Sequence, residues 1–207
     1  MDKNKDYAAR RQQASIRKRL AVLQAAGSCF TKQGYKRTTV AQIAAEAGVS
    51  KGLVFHFFGS KEALFSALVE DCLNQWSTLS EYRAAGAEEN AIEELRRLFL
   101  ASFEFVERNP VMLLFSVSDG SLLDSYREEF ARRNQRWRAR VGRTLKRGMS
   151  TGEIRKLDPQ QVSVIFHEMQ SALLTSAAFK GSAPGYDWKK VNLAIDILLR
   201  GIVQPAG

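Results

Sequence analysis

Apolar residues recur at spacings of three and four along almost the whole chain, and no short stretch alternates apolar with polar between turn signals. The pattern predicts an all-α protein of about nine helices. Ile16, Leu20, Leu23, Ala26 and Phe30 mark the inner stripe of a first helix that Gly34 stops. Thr39 opens a second, two-turn helix through a Thr-x-x-Gln capping box with Gln42, and Gly48 ends it after the inward Val40, Ile43, Ala44 and Ala47. Ser50 caps a third short helix through Phe58, and Ser60 caps a longer one running from Lys61 towards Ser80 with Leu64, Leu68, Cys72 and Trp76.

Beyond residue 88 the predicted helices lengthen. Ile92, Leu95, Phe99, Phe103 and Val106 mark one; Asn109-Pro110 begins a brief one to Val117, broken at Gly120. A long helix follows from about Leu122 to Gly148, with Tyr126, Phe130, Trp137, Val141 and Leu145 inward. Asp158-Pro159-Gln160-Gln161 combines cap, helical proline and capping box at the start of a helix reaching Phe179. After a loop at Gly181-Ser182-Ala183-Pro184-Gly185, Asp187 caps a last helix carrying Trp188, Val191, Ile195, Leu198 and Ile202. The expected organisation is a three-helix head over residues 1–59, with a flexible basic N-terminal arm, and a helical-bundle domain over 60–207.

The two short helices joined by Ala47-Gly48-Val49-Ser50 have helix-turn-helix spacing: glycine permits the tight turn and serine caps the helix that enters the DNA major groove. Gly52 lets backbone approach the duplex, Ser50 and Lys51 can reach phosphate or a guanine edge, and Leu53 can touch a thymine methyl. Charge sharpens this. Of the net +9, residues 1–62 hold twelve Lys and Arg against four Asp and Glu, whereas the other 145 residues hold nineteen against eighteen. Clustered cations suit phosphate neutralisation, and Arg17, Lys36 and Arg37 join the candidate contacts.

The segment Thr38-Thr39-Val40-Ala41-Gln42-Ile43-Ala44, then Gly48-Val49-Ser50-Lys51-Gly52 and Phe55-His56-Phe57-Phe58-Gly59-Ser60-Lys61-Glu62-Ala63-Leu64, resembles the tetracycline-repressor (TetR) family over roughly residues 15–70. The resemblance implies a homodimeric repressor, less often an activator, that leaves a palindromic double-stranded DNA operator when a small molecule enters the C-terminal domain. It places operator contacts on Thr38, Thr39, Ser50, Lys51, Gly52, Leu53, Phe55, His56 and Lys61. The family usually has Tyr where this chain has Phe55, so one phosphate hydrogen bond is missing, and Phe55→Tyr is expected to tighten operator binding in a gel shift. For Phe57 and Phe58 ordinary core packing is the expectation; for Phe55 packing and DNA contact both stand.

Gly48-Val49-Ser50-Lys51-Gly52 also matches the hydrolase pattern G-x-S-x-G, but that elbow needs a strand before its serine, and the histidines, His56 and His167, form no triad with it. Ser15-x-x-Lys18 lacks companion motifs, so no enzyme is expected. Cys29 and Cys72 are far apart and lack neighbouring ligands, so neither metal nor cofactor is expected. Residues 1–13 lack the apolar run of a signal peptide and no segment approaches membrane-spanning length, which predicts a cytoplasmic chain without a membrane partner.

In the body, Trp76, Phe99, Phe103, Met112, Phe115, Trp137, Phe166 and Met169 are candidate pocket walls as well as candidate core, and His167 and Gln170 are polar groups that could orient a largely apolar effector. Arg132, Arg133, Arg136, Arg138, Arg140, Arg143, Lys146 and Arg147 suit an anionic effector or simple solvation. The uncharged run from Ser171 to Ala178 predicts a dimer interface in which this helix and the last one, through Ser171, Leu174, Ala178, Ile195, Leu198 and Leu199, pair with their symmetry mates as four helices, setting two heads about 34–36 Å apart or a multiple of that. A regulator controlled by a protein partner, without an effector, is the competing reading.

Overall fold

The computed structural model describes residues 3–85, 90–113, 126–178 and 186–204. They form α1 (Lys3–Arg37), α2 (Val40–Glu46), α3 (Lys51–Phe58), α4 (Lys61–Ala84), α5 (Ala91–Arg108), a 3-10 turn (Pro110–Leu113), α6 (Arg127–Thr151), α7 (Pro159–Ala178) and α8 (Trp188–Ile202). The all-α expectation is met by eight helices, with the brief helix expected at Pro110 present as the 3-10 turn. Its continuation to Val117, Gly120, residues 122–125, Phe179 and the loop 181–185 lie outside the described residues.

The chain divides into two compact units, Met1–Asn74 and Gln75–Gly207. The division falls within α4, later than the border expected after residue 59. The physical reason is that the first turns of α4 pack on α1: Phe65 meets Phe30 edge-on at 5.6 Å and Tyr35 at 5.0 Å, between ring centroids.

In the first unit, Leu23, Ala26, Phe30, Ile43, Val54 and Leu64 build a core of three helices and the start of a fourth. Gly34 takes φ 80° and ψ 161°, a conformation open only to glycine, and breaks helical geometry where the sequence predicted a stop. The basic residues from Lys3 onward form the first turns of α1, the longest helix described. One expectation is corrected. Ile16 and Leu20 do not join the core; both are exposed, and the buried stripe starts at Val22, because α1 extends past every other element of the unit.

In the second unit, Leu95, Leu98, Phe99 and Phe103 of α5 meet Trp137, Val141 and Leu145 of α6, Phe166 of α7 and Val191, Ile195, Leu199 and Ile202 of α8 in one cluster. The α6 helix comes so close to Ala91 and Ile154 that only glycine fits at residue 148: a Cβ there would lie 2.8 Å from Ala91 Cβ and 2.5 Å from Ile154 Cδ1. Buried Glu94 receives Arg140 Nη2 at 3.0 Å and Arg147 Nη2 at 2.7 Å, so two of the basic α6 side chains neutralise a core carboxylate. Arg132 and Arg133 pair with Glu129, whose carboxyl they hold below its ordinary range by hydrogen bonding. An isolated antiparallel bridge, Ile154 with Val203, ties the turn after α6 to the end of α8; Arg155 N donates to Ile202 O and Gln204 N to Glu153 O, both at 3.0 Å.

Candidate nucleic-acid interface

The turn between α2 and α3 is set by Gly48, which has φ 65°, in the left-handed region. On either side the predicted caps form. Thr39 Oγ1 accepts from Gln42 N while Gln42 Oε1 accepts from Thr39 N, at 3.3 and 2.8 Å, completing the capping box. Ser50 Oγ accepts from Leu53 N at 3.2 Å and starts α3. Both bonds satisfy amide groups that would otherwise be orphaned at a helix start. Ser50 is thus a cap after a helix and a turn, not a nucleophile after a strand.

Val54 and Phe58 anchor α3 in the core, and Phe57 is half-buried. This leaves Lys51, Gly52, Phe55 and His56 exposed on the opposite side, with Leu53 half-buried between. Phe55 is therefore on the surface, 41 % exposed, and Lys51 Nζ lies 5.7 Å from its ring centroid. A Cβ at Gly52 would meet nothing nearer than Ser50 Oγ at 4.0 Å, so no packing inside the protein demands glycine at that position. Arg17, Lys36 and Arg37 are exposed, and Arg37 Nε donates to Gln33 O at 2.8 Å.

Three expected contacts turn out to be occupied within the protein. Thr38 is only 1 % exposed, and its hydroxyl lies within donating distance of the Cys29 and Gly34 carbonyls, so it closes the end of α1 instead of facing DNA. Thr39 is exposed, but its hydroxyl donates to Gln42 Oε1 at 3.0 Å. Lys61 Nζ donates to the carbonyls of Tyr35 and Thr38, both at 2.9 Å, and sits 4.3 Å from the Tyr35 ring centroid. It neutralises the open carbonyl end of α1, where a cation is favoured by the helix dipole. Tyr35 Oη in turn donates to Glu62 Oε1 at 3.1 Å. Glu62's own backbone amide, then Ser60 and Tyr35, hold its carboxyl below its ordinary range. Sequence reasoning missed Tyr35; its signal was an aromatic residue directly after the helix-stopping glycine.

A capped helix with one face in the core and a cationic, glycine-bearing face outside has the geometry of a recognition helix. Residues 22–68 match the family model described as bacterial regulatory proteins, tetR family. The chain is also 30% identical over 190 residues to the HTH-type transcriptional repressor KstR2 of Mycolicibacterium smegmatis, over 90% of this chain and 91% of that protein. The chain belongs to the TetR family. This TetR-family protein is a DNA-binding transcriptional regulator and not an enzyme. It is 39% identical to the HTH-type transcriptional regulator RutR of Escherichia coli over 92 residues, covering 44% of this chain and 43% of RutR. Among solved structures, the ketosteroid transcriptional regulator KstR2 of Mycobacterium tuberculosis superposes with a TM-score of 0.70 at 25% identity, covering 90% of this chain and 95% of that one. The TetR-family regulator PfmR of Thermus thermophilus gives 0.69 at 25% identity, covering 86% and 97%.

In the body of this TetR-family chain, Phe99, Phe103, Phe166 and Trp137 are core, while Trp76, Met112, Met169 and His167 are half-buried. Phe115 and the Ala178 side chain lie outside the described residues. Gln170 does not point a free amide at a ligand: it is buried and its Nε2 donates to Phe99 O at 2.8 Å. Trp76 Nε1 donates to Ser102 Oγ at 3.1 Å. Trp137 Nε1, by contrast, is buried with no hydrogen-bond partner among the described residues, as is Tyr186 Oη. His167 lies 6.0 Å from Trp137 between ring centroids, and burial, then Arg138, lowers its pKa against the opposing pull of Glu168.

Of the expected dimer residues, Ile195 and Leu199 face the core, Leu198 and Leu174 are partly buried against it, and Ser171 is half-buried. The exposed apolar residues of α8 are Leu193 and Ile197, and on α7 Ile165 and Ala172 are exposed one heptad apart. No single helix among the described residues is long and apolar enough to cross a membrane.

Proposed function

We propose that the chain is a homodimeric repressor that places α3 in the major groove of a palindromic operator and is released by a small, largely apolar molecule bearing a hydrogen-bond acceptor. The observation that carries the DNA half is the outward face of α3, with Ser50, Lys51, Gly52, Leu53, Phe55 and His56 available to the duplex. Arg17, Lys36 and Arg37 add phosphate contacts. Ser50 has given its lone pair to Leu53 N but keeps its O–H for a phosphate oxygen. Thr38 and Lys61 support this surface from within, and Thr39 caps α2 beside it.

Dimerisation rests on Leu193 and Ile197, 60% and 63% exposed, which a second copy would cover together with Ile165 and Ala172. The effector reading rests on Trp137: a buried indole N–H without a partner carries a desolvation cost that an incoming carbonyl or carboxylate would remove. His167, whose neutral form burial favours, adds a donor or acceptor beside it. The description of one solved relative as a ketosteroid transcriptional regulator fits a ligand of that character. Helix α4 carries Lys61 in the first unit and Trp76 in the second, so effector binding in the body would bias the heads through this continuous element.

Selecting bound duplexes from a random pool with the full chain should return an inverted repeat. Thermal-shift screening of apolar carbonyl compounds should then find one that stabilises the protein and releases that repeat. Selection of a single, non-repeated site would overturn the dimeric operator reading. Failure of every stabilising compound to weaken DNA binding would favour control by a protein partner.

A further inference from the structure

Helix α1 begins far in front of the head it serves. Every described side chain from Asp6 to Leu20 is exposed apart from half-buried Ala14, and Tyr7 is 64 % exposed. The part from residue 3 to 20, eighteen residues at about 1.5 Å rise, is a helix of about 27 Å that buries no apolar stripe. It leaves the head beside the end of α3, where the Arg19 guanidinium lies 5.0 Å from the Phe58 ring centroid. Packing therefore does not account for its sequence.

Its charge is one-sided. Residues 1–20 contain seven Lys and Arg against two acids, while residues 21–62, which include the whole helix-turn-helix, contain five against two. Of those five, Lys61 is committed to two carbonyls and Lys32 lies 3.4 Å from Glu46. On the extension, Tyr7, Arg10, Arg11, Ala14, Arg17 and Lys18 follow the three-and-four spacing of one helical face, with Ile16 and Leu20 opposite. Cations at a helix N-terminus oppose the helix dipole, and Asp6, paired with Arg10 at 2.8 Å, is the single acid among residues 3–20 to offset them. A row of cations that no core packing demands, on a helix that passes the end of α3, complements a row of phosphates.

We infer that the N-terminal extension of α1 is a second DNA-binding element, in which the Arg10, Arg11, Arg17 and Lys18 face lies on the duplex backbone flanking each half-site. This rests on the DNA-binding reading of α3 and adds affinity and footprint without reading bases. From Asp6 to Lys18 the helix spans about 20 Å, enough to follow about six base pairs at 3.4 Å each.

The test uses the full chain, its selected operator duplex, and the variant Arg10→Gln, Arg11→Gln and Lys18→Gln, which keeps helix propensity and touches no core residue. The slope of log K against log salt should fall by about 2 to 3 per bound protomer, with affinity down about tenfold or more near physiological salt. Hydroxyl-radical protection outside the half-sites should vanish while protection within them stays. Duplexes trimmed to the outer edges of the half-sites should weaken the parent chain but not the variant. An unchanged slope, unchanged flank protection, or equal sensitivity of both proteins to trimming would overturn the inference while leaving α3 recognition standing. A parent chain that selects no sequence at all would instead refute the operator reading and this inference with it.

Discussion

Gly52 and Gly148 are both helical glycines, and the space around each assigns them opposite tasks. At Gly52 a methyl group meets only Ser50 Oγ at 4.0 Å, so Gly52→Ala should keep or raise the melting temperature, by up to about 1 kcal/mol of helix propensity. Operator affinity should nevertheless fall about tenfold, ~1.4 kcal/mol, because the added methyl holds the backbone away from the duplex. At Gly148 the methyl would collide with Ala91 Cβ at 2.8 Å, an atom with no rotamer to escape through. Gly148→Ala should therefore cost about 1–3 kcal/mol in thermal or denaturant unfolding. Both residues read as glycines in helical sequence, and only the neighbours in space, absent from a linear pattern, tell them apart. Lys61 teaches a similar lesson: as a lysine opening a helix it looked like a phosphate contact, and its role became visible only once folding brought the carbonyls of Tyr35 and Thr38 to its ammonium.

Among the elements, those bounded by local chemistry were legible from sequence. The caps at Thr39, Ser50, Ser60 and Asp187 each accept the amide hydrogen bond that their type and position predicted. The start of α1 was not, since a helix without tertiary contacts leaves no apolar stripe to announce it. The inward stripe of α8, with Val191, Ile195 and Ile202, was legible, but the use of that face was not: Ile195 and Leu199, expected at a dimer interface, are core, and Leu193 and Ile197 stand on the other side. Between α5 and α6 the Glu94 network makes an asymmetric prediction. Replacing Arg140 and Arg147 together by Ala strands a carboxylate that is 3 % exposed, which should cost about 3–5 kcal/mol. Glu94→Gln should cost less, about 1–2 kcal/mol, because the two partly exposed guanidinium groups can turn to water. Equal destabilisation in urea titrations would contradict this account.

For the whole molecule, the proposed dimer rests on a surface that one copy leaves open, that of Leu193 and Ile197. Ile197→Glu should shift light scattering from dimer to monomer and weaken operator binding, while the folded monomer keeps its helical signal, because residue 197 is outside the core. The bridge between Ile154 and Val203 has a consequence for that surface. It fixes the last turn of α8 against the turn after α6 through Glu153, Arg155, Ile202 and Gln204, so that the rotation of α8 about its own axis is set from a site remote in sequence. In the proposed dimer, partner choice would accordingly be set at two places: the side chains that meet the second copy, and the short turn from Gly152 to Lys156 that fixes how they are presented.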